Sequence, residues 1–232
     1  MKLKYIVDQK YDALMIYQIL SSKNGIVDLK YQSENMDLDF EIVKKISKMK
    51  SFANIESEIE KIVSKRYLNS EKYLNLSIEM YQQSWNEIND AFFGRLAEVT
   101  KFPIQHKTFE CVLSDFHIGI SNWGGNRIIR SWKENPFTQR RITAHEIIIS
   151  HFFSYIYKKH TKIKDKHKIW ELAEIFAFIV TGTDKIMTKF WPWDDSGSYT
   201  DHNYPELVKK QKALTEVYSK KGFHEFVKVG FE

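Results

Sequence analysis

Residues that break regular secondary structure are scarce in this chain: 9 Gly and 4 Pro are spread over 232 residues. Glycine and proline let a backbone turn sharply or stop a helix, so their scarcity favours long regular elements joined by short connections. No linker-like stretch, low-complexity run or internal repeat interrupts the sequence, and one domain over residues 1–232 is the simplest organisation. Phe, Tyr and Trp number 16, 12 and 6, and 43% of the residues are hydrophobic. That is enough apolar volume for a full core, and it excludes intrinsic disorder. Cys111 is the single cysteine, which excludes an intrachain disulfide and a thiolate cluster. Any metal ion would have to rest on His, Asp and Glu. With no activating partner close in sequence, Cys111 reads as a buried, inert thiol.

The balance of 35 Lys+Arg against 30 Asp+Glu leaves a formal net charge of +5. Dispersed over a chain rich in both signs, this does not by itself indicate nucleic acid as a partner. Residues Met1 to Lys10 place charges where the apolar run of a signal peptide would lie. The two most apolar stretches run from Ile147 to Tyr157 and from Leu172 to Val180. They are interrupted by Ser150 and His151, or reach only about half of the roughly 20 residues a membrane span needs. A cytoplasmic protein with no membrane span is expected.

Tyr11 to Leu20 has helical character, and Asn24-Gly25 ahead of Ile26 to Leu29 reads as a turn into a short strand. Ile59, Ile62 and Val63 recur at helical spacing. Tyr81, Trp85, Ile88, Phe92 and Leu96 then follow in steps of three and four, which predicts one longer helix. Residues 1–100 are therefore expected to be mainly helical. After Phe102-Pro103 the pattern changes: Phe109, Cys111 and Leu113 alternate with polar neighbours as in a strand. Gly119 and Trp123-Gly124-Gly125-Asn126 supply turns, and Arg127 to Arg130 forms another strand. The glycine pair lacks the spacing and the following Lys-Ser/Thr of a phosphate-binding loop. Asn135-Pro136-Phe137-Thr138 then punctuates the chain ahead of helices over about residues 139–158 and 168–180. The expected class is α+β, with a helical portion over 1–100 and a small mixed sheet plus two helices over 101–232.

The first of those two helices carries His145-Glu146, and the second carries Trp170-Glu171-Leu172-Ala173-Glu174. Zinc-binding helices of this kind present two imidazoles four residues apart on one face, with a glutamate beside the first. Over Phe109 to Thr181, about a third of the chain, the sequence resembles the gluzincin metallopeptidases, and more narrowly small bacterial HExxH proteins with a Trp-x-x-x-Glu helix downstream. The resemblance implies a zincin-like fold, Zn2+ as cofactor and a peptide or protein as substrate. It also implies His145 as first metal ligand, Glu146 as general base and Glu174 as third ligand. The strand from Cys111 to Phe116 would be the sheet edge along which an extended substrate aligns.

One position departs from the pattern. Ile149 stands four residues after His145, where the second histidine belongs. His151 is rotated by about 240° from His145 and faces elsewhere. His202 and His117 are candidate substitute ligands, and the sequence does not choose between them. An ion held by His145 and Glu174 alone would be weak, so zinc is expected to be weakly bound or absent and hydrolysis to be altered or lost. A peptide-binding pseudoenzyme is the outcome in the second case. The same residues also admit a metal-free account: His145 shares a stripe with Ile149, Phe152 and Ile156, and Glu174 lies among Leu172, Ala173, Ile175 and Phe176. Each polar group, if buried, needs a partner, and each could serve the other. In either account a ring nitrogen of His145 lies within about 5 Å of the Glu174 carboxylate. Glu171 is the alternative carboxylate, expected to be an exposed first-turn acid.

A second class of function rests on other residues. Lys158 to Lys168 places six lysines around Asp165, a solvated loop or a patch for a polyanion. Phe190-Trp191-Pro192-Trp193-Asp194-Asp195 reads as a lid packed on the core or a binding surface. Together they would make a basic, non-enzymatic interaction protein.

Overall fold

Alternation begins at the second residue: Leu3 and Tyr5 are buried while Lys2 and Lys4 face outward, the period-two pattern of a strand with one face on a core. The computed structural model describes residues 1–21, 28–116, 119–121, 124–193 and 204–232. Its sheet has the order β1-β2-β4-β3. Strands β1 (Lys2–Ile6), β2 (Thr108–Ser114) and β4 (Arg127–Ser131) are parallel, and β3 (Gly119–Ser121) runs antiparallel to β4. The remainder is mainly helical, and the class is α+β. No helix among the described residues is long and apolar enough to cross a membrane.

The register places Tyr5 beside Cys111 and Cys111 beside Ile128, so Leu3, Tyr5, Phe109, Cys111, Leu113, Ile128 and Arg130 share one face. Helix α6 (Pro136–Lys159) covers it, with the Tyr5 hydroxyl donating to Thr143 Oγ1 at 3.1 Å and Gln139 Nε2 reaching Cys111 Sγ at 4.0 Å. Helix α1 (Gln9–Leu20) lies on the opposite face. There Ser114 Oγ donates to Asp12 at 2.8 Å, and Arg127 pairs with Asp8, the α1 N-cap, at 2.8 Å. Parallel strands buried on both faces are built this way. Helices α2 (Leu29–Met36), α3 (Phe40–Ser47), α4 (Glu56–Asn86) and α5 (Asn89–Thr100) fill the stretch between β1 and β2. Helix α7 (Lys166–Thr183) packs along α6, and α8 (Pro205–Lys221) and α9 (Phe223–Phe231) follow.

Several expectations need correction. The N-terminal portion is mainly helical but opens with a strand. Leu29 starts α2 behind its N-cap Asp28, while the rest of the turn and strand expected there lies outside the described residues. The long helix over Tyr81 to Leu96 is two helices, because the i to i−4 hydrogen bonding lapses at Glu87-Ile88, where Ile88 N–H returns to Trp85 O. Trp85, Phe92 and Phe93 still pack edge to face across the break, which is why the apolar stripe runs on uninterrupted. Asn135-Pro136 is the start of α6 rather than a spacer before it: Asn135 Oδ1 caps Phe137 N–H at 2.9 Å and Pro136 occupies the first turn. The glycine pair does turn the chain, with Gly124 at φ +82 and its carbonyl accepting from Ser154 Oγ at 3.2 Å.

The largest correction concerns the sheet edge. The strand at Cys111 is interior, hydrogen-bonded by β1 on one side and β4 on the other, so it has no backbone groups free for a substrate. The edges are β1 and β3. On β1 three of the outward-facing groups are taken by side chains: Leu3 N–H donates to Asn89 Oδ1 at 3.2 Å, Tyr5 N–H to Gln82 Oε1 at 3.1 Å, and Gln82 Nε2 to Leu3 O at 3.1 Å.

At the carboxyl end of β2, Asp12 is buried, accepts a hydrogen bond from Ser114 Oγ and lies 3.1 Å from Tyr67 Oη. Burial pushes its carboxyl up to about 7, against those contacts, which favour the charged form. The folded chain therefore holds a proton that the unfolded chain releases near pH 4, and stability falls as pH rises from about 4 to about 7. Urea unfolding over that range should lose on the order of a few kcal/mol in the natural chain and much less in Asp12→Asn. Equal slopes in the two proteins would show that Asp12 does not carry the effect.

Candidate functional site

Helices α6 and α7 bring together two side chains 29 positions apart: His145 Nε2 lies 3.0 Å from Glu174 Oε2. Both are largely enclosed, with side-chain exposures of 16% and 15%. The pairing follows from the helix faces. Ile149, Phe152 and Ile156, on the stripe of His145, are buried, as are Leu172, Ala173, Ile175 and Phe176 around Glu174. Packing those two apolar stripes leaves the imidazole and the carboxylate facing each other. The Phe178 ring stands edge-on to His145 at 5.0 Å and holds the imidazole plane.

The electrostatics favour a charged imidazole. Burial alone would lower the His145 pKa, but the hydrogen bond to Glu174, the Glu174 charge and the Glu146 charge together raise it above its ordinary value. Arg130, on the sheet face under α6, opposes them. Glu146 is half-buried, and its charge is felt both by His145 and by the Cys111 thiol. Burial raises the Cys111 thiol far above its ordinary range, consistent with an inert buried thiol.

The chain matches no protein-family model, no curated protein and no solved structure.

The remaining expected residues fall as follows. Ile149 is 1% exposed and gives His145 a hydrocarbon neighbour in place of a second imidazole. His151 is buried elsewhere, with Nε2 3.0 Å from Thr100 Oγ1, and desolvation lowers its pKa to about 3. His117 and His202 lie outside the described residues. Glu171 is not an exposed first-turn acid: α7 starts at Lys166, so Glu171 sits in its second turn, largely covered and paired with Lys210 at 2.7 Å. Among the described residues no three His, Cys, Asp or Glu side chains are grouped to hold a metal ion. Among the described residues the pair supplies two donors, one fewer than the three protein ligands a catalytic zinc takes beside its water.

Sequence reading missed two influences on the site, Arg130 and Phe178. The signal for Arg130 was available: it shares strand parity with Ile128, which makes it an inward-facing arginine. The lysine-rich segment divides between helix ends. Lys158 and Lys159 lie in the last turn of α6, where cations are favoured by the helix dipole, and Lys168 Nζ donates to Phe231 O at 2.8 Å. In the aromatic segment Trp191 is a core residue whose Nε1 donates to Thr181 O at 2.9 Å. Trp193 is exposed over Phe137 and Arg140, and Asp194 and Asp195 lie outside the described residues.

The pair makes a prediction about protonation. A raised His145 pKa means that its stabilising charge is fully present below about 6.5 and is lost as pH rises through the folded value. In Glu174→Gln the imidazole resonance followed by NMR should titrate at lower pH than in the natural chain. A double-mutant cycle of His145→Ala and Glu174→Gln at pH 6 should give a coupling of about 1.5–3 kcal/mol. An unchanged titration would separate the two side chains.

Proposed function

We propose that this chain is a cytoplasmic, metallopeptidase-like protein of the gluzincin type, with a zincin-like fold and a degenerate metal site, and that it binds a peptide without cleaving it. One observation carries the reading: an imidazole on one helix and a carboxylate on the next meet at 3.0 Å in an otherwise apolar helix interface. That separation is close to the roughly 3.3 Å edge of a zinc tetrahedron built on bonds of 2.0–2.2 Å. The pair therefore keeps the spacing of two ligands. Among the described residues there is no third, and a buried isoleucine stands where the second histidine of the motif belongs.

In this reading the Glu174 carboxylate supplies the negative charge that His145 needs as an imidazolium, so the helix pair is stable without an ion. Glu146 has no polarised water to deprotonate and contributes charge instead of general-base catalysis. Peptide binding would use backbone pairing at an open strand edge. The interior position of β2 and the occupied edge of β1 leave β3 for that role, and β3 packs against α6, the helix of His145.

Zinc held at His145 is measured as the difference between a protein and its His145→Ala variant after dialysis and elemental analysis. The natural chain should show a difference far below one equivalent, and Ile149→His should bring it towards one. Peptidase activity on unfolded substrates should be at background. A full equivalent lost with His145 in the natural chain, or hydrolysis abolished by Glu146→Gln, would make the site an intact enzyme centre. Failure of Ile149→His to gain zinc while folded would remove the zincin reading itself.

A further inference from the structure

A second group of metal-binding side chains lies at the far end of α6. Tyr155 is buried, its ring edge-on to Phe102 at 5.3 Å and to Phe223 at 4.8 Å, so the phenol is held on a rigid apolar platform. Two imidazoles converge on its oxygen. His224 Nδ1, from the first turn of α9, lies 3.0 Å from Tyr155 Oη, and His160 Nε2, from the residue that ends α6, lies 3.3 Å from it. The His160 backbone is fixed on both sides: its N–H donates to Ile156 O at 2.8 Å, and its carbonyl accepts from Ile163 N–H at 2.9 Å. A phenol has one proton, so it donates to one ring and accepts an N–H from the other.

We propose that Tyr155, His160 and His224 form a binding site for a nitrogen-preferring divalent ion, zinc or copper(II), separate from the His145–Glu174 pair. Donor atoms bonded to zinc at 2.0–2.1 Å stand about 3.3 Å apart along the edges of a tetrahedron. The two nitrogen–oxygen separations here, 3.0 and 3.3 Å, are of the length of two of the three edges that such a donor set needs. An ion seated over the three atoms replaces the hydrogen bonds that now join them. The imidazole that points an N–H at the phenol moves that hydrogen to its other ring nitrogen, and the phenol turns its hydrogen outward or gives it up to solvent. His224 is exposed, which opens the fourth coordination position to water.

The sequence neighbours set the selectivity. Lys158 and Lys159 precede His160, and Glu225, beside His224, is already paired with Lys221 and Lys228, so a cation attracted by charge alone gains little. Only an ion that gains from imidazole coordination overcomes this, which selects zinc and copper(II) over magnesium and calcium.

The experiment is calorimetric titration of the full chain with Zn2+, Cu2+ and Mg2+, in the natural protein and in His145→Ala. One equivalent of zinc and of copper should bind in both, and magnesium should not. His224→Ala, a change at an exposed position, should weaken zinc at least tenfold. Tyr155→Phe should weaken it by a smaller factor, with circular dichroism unchanged. Copper bound by the natural chain should show coupling to two nitrogens in its electron paramagnetic resonance spectrum, and to one in His224→Ala. Absence of zinc and copper binding, undiminished binding in His224→Ala, or binding that disappears in His145→Ala would each overturn the site. The last outcome would return the ion to the helix pair.

Discussion

The parallel pairing of residues 2–6 with residues 108–112 is the contact on which the molecule is organised. Two strands that run in the same direction cannot be joined by a tight turn, and here the connection between them holds five helices, α1 to α5. Closing so long a loop is costly in chain entropy, and burial of the helices between the two strands offsets that cost. The residues that do this are visible: Val43 and Ile46 of α3, Ile59 and Val63 of α4 and Ala13 and Ile16 of α1 all sit in one buried cluster with the sheet residues Leu3 and Phe109. Polar contacts then fix the docked position. Tyr67 Oη donates to Leu113 O at 2.7 Å from the first half of α4, and Tyr81 Oη to Trp132 O at 2.8 Å from the second half. One helix of 31 residues thus grips the carboxyl ends of two strands.

The interior of the second half is a compromise between packing and charge. Helices α6 and α7 pack through isoleucine and phenylalanine, and the same interface holds an imidazole, a carboxylate and, nearby, the half-buried Glu146. Removing an ionised group from water is unfavourable by several kcal/mol on the order of magnitude usual for proteins, so each of these charges needs another. The arrangement is balanced: Glu174 and Glu146 raise the affinity of His145 for its proton, and Arg130 limits the rise. Each member thus acts on the protonation of His145 as well as on the contact between the two helices.

How much of this could be read from the residues depends on whether the deciding contact is local. His145 and Glu174 were legible as partners because a polar side chain inside an apolar stripe requires one, and two such stripes followed one another in sequence. The strand at Arg127 and the two helices after Asn135 were legible from period alone. The interior position of β2 was not, because it depends on a strand a hundred residues earlier whose five residues alternate too briefly to stand out. Nor was the break at Glu87-Ile88: the stripe from Tyr81 to Leu96 continues since Trp85, Phe92 and Phe93 enter the same aromatic cluster from two helices. Glu171 was misjudged by a helix boundary, since starting α7 two residues earlier moves it from the first turn to the second and under Lys210.

Gln82 and Asn89 have an effect that reaches beyond one molecule. Their carboxamides present β1 with a donor and an acceptor at the heights where a neighbouring strand would place its peptide groups. The sheet is thereby terminated on one side by side chains that cannot themselves be extended. An exposed strand edge is a template for pairing with another chain, and an edge whose peptide groups already have partners is a poor one. Two amide side chains thus take from β1 the backbone groups of Leu3 and the Tyr5 N–H that another strand would pair with.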